Sequence, residues 1–221
     1  MRATLRILAG GLMILLATGA SVADEGWKKE KDQDGIQVYT RQVEGWGMKE
    51  MRGHGTLSAR LSSLVAVIND VPATPQLNDS VTTAEIKSRE SDTRYQLYST
   101  MNAPWPVSNR DVLNQREITQ DKDSLTVTIT DVATKDVMPV RKGYTRIDRA
   151  RQQWTLKPRS DGSVDVEIRT LSDPGGSVPS ALVNATSVSL PFKLIKMLKE
   201  LSQQPKYAQA SLPFIKEPAH P

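Results

Sequence analysis

The sequence predicts an α+β domain, an antiparallel sheet with one wet face over which a long C-terminal helix lies. Three observations carry this. A hairpin pattern followed by a short amphipathic helix opens the chain after its first residues. From Thr82 to Arg169 the residues are rich in Thr, Val, Ile and Tyr and alternate with period two, the spacing of a half-buried strand. After Asp173-Pro174-Gly175-Gly176 the period changes to that of a helix, which runs from about Ser177 to Gln203.

At the N-terminus, Arg2 and Arg6 precede an apolar run from Ile7 to Ala20, and Ser21-Val22-Ala23 precede Asp24. This three-part pattern reads as a secretory signal peptide over residues 1–23, because the apolar run is shorter than the ~20 residues that span a bilayer as a helix. The expected location is the periplasm or the medium, after cleavage near Ala23. The chain has no Cys, so neither a disulfide framework nor a lipid-modified cysteine is expected. Residues 24–208 are read as one domain and 209–221 as a Pro-containing tail.

Within the domain, Gly35 to Val43 and Met48 to Leu57 alternate as strands around the turn Glu44-Gly45-Trp46-Gly47. Leu61, Leu64, Val65 and Ile68 then recur at helical spacing. This predicts a helix from Ser58, as N-cap, to Asn69, closed by Asp70-Val71-Pro72. The clearest later strands are Leu125 to Ile129 and Val164 to Ile168. In the last helix the apolar stripe Val178, Leu182, Ala185, Val188 and Phe192 gives way at Pro191 to Leu194, Met197, Leu198 and Leu201. A bend is expected where Pro191 lacks its N–H. Lys193, Lys196 and Lys199 occupy the side opposite the second stripe, a face suited to transient contact with an anionic membrane surface or simply to water.

The formal charge of +4 falls by two when Arg2 and Arg6 leave, too little to argue for a nucleic-acid partner. The histidines are His54, between two glycines, and His220 in the tail. There is no Cys nucleophile, no metal-ligand cluster, no G-x-S-x-G elbow and no phosphate loop. No catalytic residue, metal or cofactor is expected, and the reading is of a binding protein.

Two segments carry a resemblance. Asn102-Ala103-Pro104-Trp105-Pro106-Val107-Ser108-Asn109-Arg110-Asp111 resembles the central signature of START (StAR-related lipid transfer) domains. The stretch from Asp173-Pro174-Gly175-Gly176 to Asn184 is similar to the family's entry into its last helix. The similarity covers Trp27 to about Ala208. It implies a helix-grip fold, a curved antiparallel sheet around the C-terminal helix, enclosing a tunnel for one phospholipid, sterol or similar bulky apolar molecule. Enclosure suits such a ligand because each methylene kept from water is worth about 0.8 kcal/mol.

On this resemblance the expected lipid-binding residues are Met101, Trp105, Val178, Leu182, Ala185, Val188 and Phe192, with Arg94 as an inward charge. The expected gate hinges are Gly175, Gly176 and Pro179. Arg110 and Asp111 read as a structural ion pair or cap. The chain departs from phosphatidylcholine-binding members, which place an Arg and a Trp where it has Ala73-Thr74-Pro75-Gln76-Leu77, and a Trp where it has Ala181. Transfer or sequestration of lipid is the function implied. A sensor or scaffold of the same fold stands beside it, as does a cyclase of the kind found among related helix-grip proteins.

Overall fold

The computed structural model describes residues 26–103, 105, 107–135, 138–176, 178, 183–184 and 188–219. The leader at 1–23 lies outside the described residues, as do Pro104, Pro106, Pro179, Ala181, Leu182 and Ala185.

Ten strands among the described residues form one sheet: β1 (Lys28–Gln33), β2 (Ile36–Gln42), β3 (Lys49–Leu57), β4 (Val81–Ser91), β5 (Arg94–Met101), β6 (Asn109–Gln120), β7 (Val127–Ala133), β8 (Tyr144–Ile147), β9 (Arg149–Pro158) and β10 (Val164–Asp173). Their order is β1-β2-β3-β10-β9-β7-β6-β5-β4, all antiparallel, and β8 lies off this path, parallel to β6. The alternation read in the sequence sets the faces. Ile36, Val38 and Thr40 of β2, and Val164, Val166, Ile168 and Thr170 of β10, are buried, while the residues between them are half-exposed. β1, Lys28-Lys29-Glu30-Lys31-Asp32-Gln33, has no such alternation. Among the described residues it is an edge strand paired only with β2, and its lysines guard that edge.

Helix α1 (Leu61–Asn69), a 3-10 turn (Val71–Ala73) and the single turn α2 (Thr74–Leu77) follow β3. α3 (Leu190–Ser202) and the short α4 (Pro205–Ala208) follow β10. α1 and α3 pack side by side on the sheet. Leu61, Leu64, Val65 and Ile68 of α1 meet Leu194, Ile195, Leu198 and Leu201 of α3 over Val38, Ile129, Trp154, Leu156, Val166 and Ile168. The close seat of α3 explains the two glycines around His54. A Cβ on Gly53 would stand 2.7 Å from Pro191 Cβ and 3.1 Å from Ile195 Cδ1, so the helix rests on bare backbone.

Two expectations are corrected. Pro191 does not bend a helix from its interior. Val188 and Ser189 form a turn, α3 begins at Leu190, and Pro191 sits in its first turn, where a missing N–H costs nothing. Ser58 does not cap α1 either. Arg60 holds the cap position without a side-chain bond, and the Leu61 and Ser62 amides donate instead to the two carboxylate oxygens of Glu217, at 3.2 and 2.7 Å. The tail that supplies Glu217 is docked along the domain. Gln120 and Lys216 exchange two hydrogen bonds of 2.8 Å, and Ile215 is buried in the core.

A carboxylate at a helix start satisfies orphan amides and the helix dipole together, worth about 1 to 2 kcal/mol. Glu217→Ala is therefore expected to lower stability to urea by about that amount, and truncation before Ser211 by more, since it also uncovers Ile215. Equilibrium unfolding of the two variants checks both.

Candidate functional site

The concave face of the sheet is divided by one cross-strand row. Register places Met51 of β3 opposite Thr170 of β10, Thr170 opposite Gln152 of β9, Gln152 opposite Asp131 of β7, Asp131 opposite Arg116 of β6, and Arg116 opposite Tyr95 of β5. Five of these six residues are polar. On one side of the row lies the apolar row of Gly53, Ile168, Trp154, Ile129 and Ile118, packed under the helices. On the other side lies a cavity of about 280 Å³, lined among others by Met48, Leu97, Met101, Val112, Asn114, Ile147, Ser172 and Leu190.

The centre of the belt is an ion pair with both side chains 6 % exposed. Arg116 Nε and Nη2 donate to the two Asp131 oxygens at 2.7 Å each, and Nη1 donates to the Ile68 carbonyl at 2.7 Å and to Tyr95 Oη at 3.4 Å. Tyr95 in turn donates to Asn69. Burial works against the guanidinium charge, and the facing carboxylate outweighs it, so Arg116 is held protonated more firmly than a free arginine. Beside this satisfied pair, the buried Thr170 hydroxyl has no partner among the described residues. Gln152 and Asn114 also reach the cavity wall. The cavity thus has a polar inner end and apolar walls toward Met48, Met101, Val112 and Ile147.

The segment after β10 borders the cavity through Pro174, Val183 and Asn184. Asn184 and Arg110 are among the residues that fasten it. Asn184 Oδ1 accepts from the Lys49 amide at 3.0 Å, and Arg110 donates to the carbonyls of Pro174 and Gly175 at 3.1 Å each. Gly175 and Gly176 adopt φ of +65° and +70°, and a Cβ on Gly175 would press on the Arg146 carbonyl at 3.2 Å.

Arg110 and Asp111 do not pair with each other, because neighbours on a strand face opposite sides. Arg110 joins the two signature segments. Asp111, on the other face, accepts from Arg146 at 2.9 and 2.8 Å and from Tyr98 Oη at 2.9 Å. Burial alone would raise its pKa, but the bonds from Arg146 and Tyr98 prevail and hold it below the usual carboxylate range.

Of the residues expected at the site, Met101 lies on the cavity wall. Phe192 is in the core beneath α3, its ring 3.6 Å from Lys31 Nζ, and Val188 packs against that core half-buried. Val178 is half-buried and outside the lining. Trp105 is 92 % exposed and does not enter the cavity. Arg94 is exposed too, because Tyr95 and Leu97 take the inward phase of β5, and it pairs with Glu90 and Glu117. Where phosphatidylcholine-binding members are expected to carry an Arg, this chain offers Thr74 to the cavity wall. Arg116, Asp131, Gln152 and Thr170 were not anticipated. Their signal was a polar residue in phase with Val112 and Ile118 on β6, with Val127 and Ile129 on β7, with Trp154 on β9, and with Val166 and Ile168 on β10.

The START domain model matches residues 7–207. The chain belongs to the START family. A STAR-related lipid transfer protein of Xanthomonas axonopodis has a similar solved structure, 39 % identical, covering 81 % of this chain and 100 % of that one with a TM-score of 0.74. The human StAR-related lipid transfer protein 5 shares the fold at 16 % identity, covering 82 % and 88 % of the two chains, TM-score 0.73. Phosphatidylcholine transfer protein of Mus musculus is 25 % identical over 78 % of this chain and 82 % of its own length. An uncharacterized protein of Pseudomonas aeruginosa is 28 % identical over 92 % of this chain and all of its own. The ten-stranded sheet with its C-terminal helix is the helix-grip fold, and START membership supports a lipid-binding role.

Two outcomes test this geometry. Removing one partner of a buried pair strands the other charge at a cost of about 3 to 5 kcal/mol, whereas replacing both by apolar residues costs much less. Arg116→Leu and Asp131→Leu should each destabilise by that amount, and the double variant by clearly less, as read by a double-mutant cycle of urea unfolding. Asp111 sets a pH dependence. Its folded pKa is depressed, so its contribution is full above the unfolded value of about 3.9 and is lost as pH falls through the lower folded value. Asp111→Asn should be less stable than the parent at pH 7, with the gap closing as pH falls below about 4. A gap constant from pH 7 to 2 would contradict the assignment.

Proposed function

We propose that this START domain binds one amphipathic lipid in the cavity, its polar group against the Thr170-Gln152-Asp131-Arg116 belt and its apolar part along Met48, Met101, Val112 and Ile147. The observation that carries this is the asymmetry of the cavity, with the buried Thr170, Asp131 and Arg116 at its inner end and Met48, Met101, Val112 and Ile147 among its walls. A ligand of that polarity finds hydrogen bonds where a hydrocarbon would leave the Thr170 hydroxyl unpartnered. The volume of about 280 Å³ lies near the low end of small-molecule sites, roughly 300 to 1,000 Å³. A compact or single-chain lipid fits it as it stands, and a two-chain phospholipid requires the segment carrying Asn184 to swing away.

The leader pattern read at residues 1–23 supports work outside the cytoplasm, in the periplasm or the medium. We infer carriage or sequestration rather than chemistry, in keeping with the generally non-enzymatic START domains. The fastenings of the bordering segment at Asn184 and at Arg110 favour retention of the ligand until something loosens them.

Native mass spectrometry of the mature protein, followed by solvent extraction, should find one lipid per chain. Gln152→Leu combined with Thr170→Val should weaken binding of that lipid about 30-fold, the worth of two ordinary hydrogen bonds, and shift the extract toward less polar species. Protein that stays empty after incubation with mixed-lipid vesicles would sink the reading. Exchange between two vesicle populations separates the two modes, since a carrier accelerates it and a sequestering protein binds lipid without doing so.

A further inference from the structure

The convex face of the sheet carries a cluster that a lipid in the cavity does not touch. Thr40, Met51, Thr170 and Gln152 take the inward phase of β2, β3, β10 and β9, so the residue beside each one faces outward. Those neighbours are Arg41, Arg52, Arg169 and Arg151, one arginine on each of four adjacent strands. Register sets Arg169 directly opposite Arg52, and Leu171, two residues on, opposite Arg151. Like charges so placed repel and cost stability. Carboxylates offset part of that cost: Glu50, opposite Arg41, meets it at 2.6 Å, and Glu167 meets Arg169 Nε at 2.7 Å. Among the described residues Arg151 bonds to the Gln153 side chain at 2.8 Å and to no carboxylate. Four arginines against two glutamates leave this patch a formal charge of +2.

The cluster is ordered by an aromatic ring. Half-buried Trp27 lies among the guanidinium groups, with its ring centre 4.5 Å from the Arg41 carbon, 4.7 Å from that of Arg52 and 5.9 Å from that of Arg169. Stacking of this kind restrains arginines that would otherwise swing apart into water. Between them lies a hollow of about 270 Å³ whose lining includes Arg41, Arg151, Arg169, Glu50, Gln153 and Leu171. Arg94, farther along the same face, shows the contrasting case, an arginine with two carboxylates beside it, Glu90 at 2.9 Å and Glu117 at 3.5 Å. A dianion suits the hollow. It cancels the excess charge, relieves the repulsion between opposed arginines, and offers oxygens to guanidinium forks from three strands, a geometry that phosphate matches. Leu171 gives the carbon part of a small ester an apolar contact. We propose that this hollow is a second binding site, for a phosphate dianion that is free or carried by a small ester, held by Arg41, Arg151 and Arg169.

The test is isothermal titration of the mature protein with inorganic phosphate and, separately, with glycerol 3-phosphate, at constant ionic strength in chloride and at about pH 8, well above the second phosphate-ester pKa of about 6. One anion should bind per chain, and Tm should rise with its concentration, because binding favours the folded state. Arg151→Gln and Arg169→Gln should each weaken binding about tenfold, the loss of a charged hydrogen-bond donor. Arg151→Lys keeps the charge and loses the fork, so it should fall between Arg151→Gln and wild type. Arg94→Gln removes the same charge from the same face and should leave binding unchanged, since salt screens so distant a charge. Arg151 is exposed and its substitution is compatible with folding, so it decides the matter even if Arg169→Gln, which also releases Glu167, unfolds the domain. Tighter binding of glycerol 3-phosphate would identify an ester as the ligand, and equal or tighter binding of inorganic phosphate the free ion. Wild type that binds neither anion, Arg151→Gln that binds like wild type, or equal losses in Arg94→Gln and Arg151→Gln would each overturn the proposal.

Discussion

The Arg116–Asp131 pair is the constraint on which the rest of the concave face depends. Two charges cannot be left in a protein interior unpartnered, so the register of β6 on β7 is fixed at the point where they face each other. A slip by two residues would preserve the faces but separate the charges. Once that register is set, the apolar row on one side has to be covered by α1 and α3, and the row on the other side is left to a cavity. A polar belt within the sheet thus decides where the packed core stops.

The two signature segments owe their joint appearance to Arg110. Its guanidinium spans from the end of the β5–β6 loop to the turn after β10, so a motif near residue 105 and a motif near residue 175 are one structural feature. Gly175 and Gly176 are there because the chain must turn left-handed while its backbone passes close to β8. The same stretch therefore serves as a joint in the fold and as the border of the cavity.

The fold was legible in the sequence to the extent that burial followed period. The β2–β3 hairpin, α1, β7 and β10 alternate or repeat as their faces require, and the two signatures supplied the family. What was not legible lacked a local cause. β1 carries six polar residues and is a strand only because β2 lies beside it. The start of α1 depends on Glu217, and no pattern around Ser58 could disclose a partner so far along the chain. Trp105 was expected at the cavity because it lies in the central signature, and Arg94 inside because the chain lacks the Arg that phosphatidylcholine-binding members carry after the first helix. The charged residue that does reach the cavity, Arg116, stood in the inward phase of β6 and was concealed by the polar residues around it.

The clasp between Glu217 and the first turn of α1 spans 156 positions for the Leu61 amide. Synthesis delivers α1 long before the residue that completes it. During that interval the first-turn amides have only water for partners, and the helix is held by none of the α3 side chains that later cover it. The closing of so long a loop is slow compared with the formation of a local turn. Folding of this domain is thereby tied to the arrival of the segment around Glu217, which keeps the emerging polypeptide pliable until then.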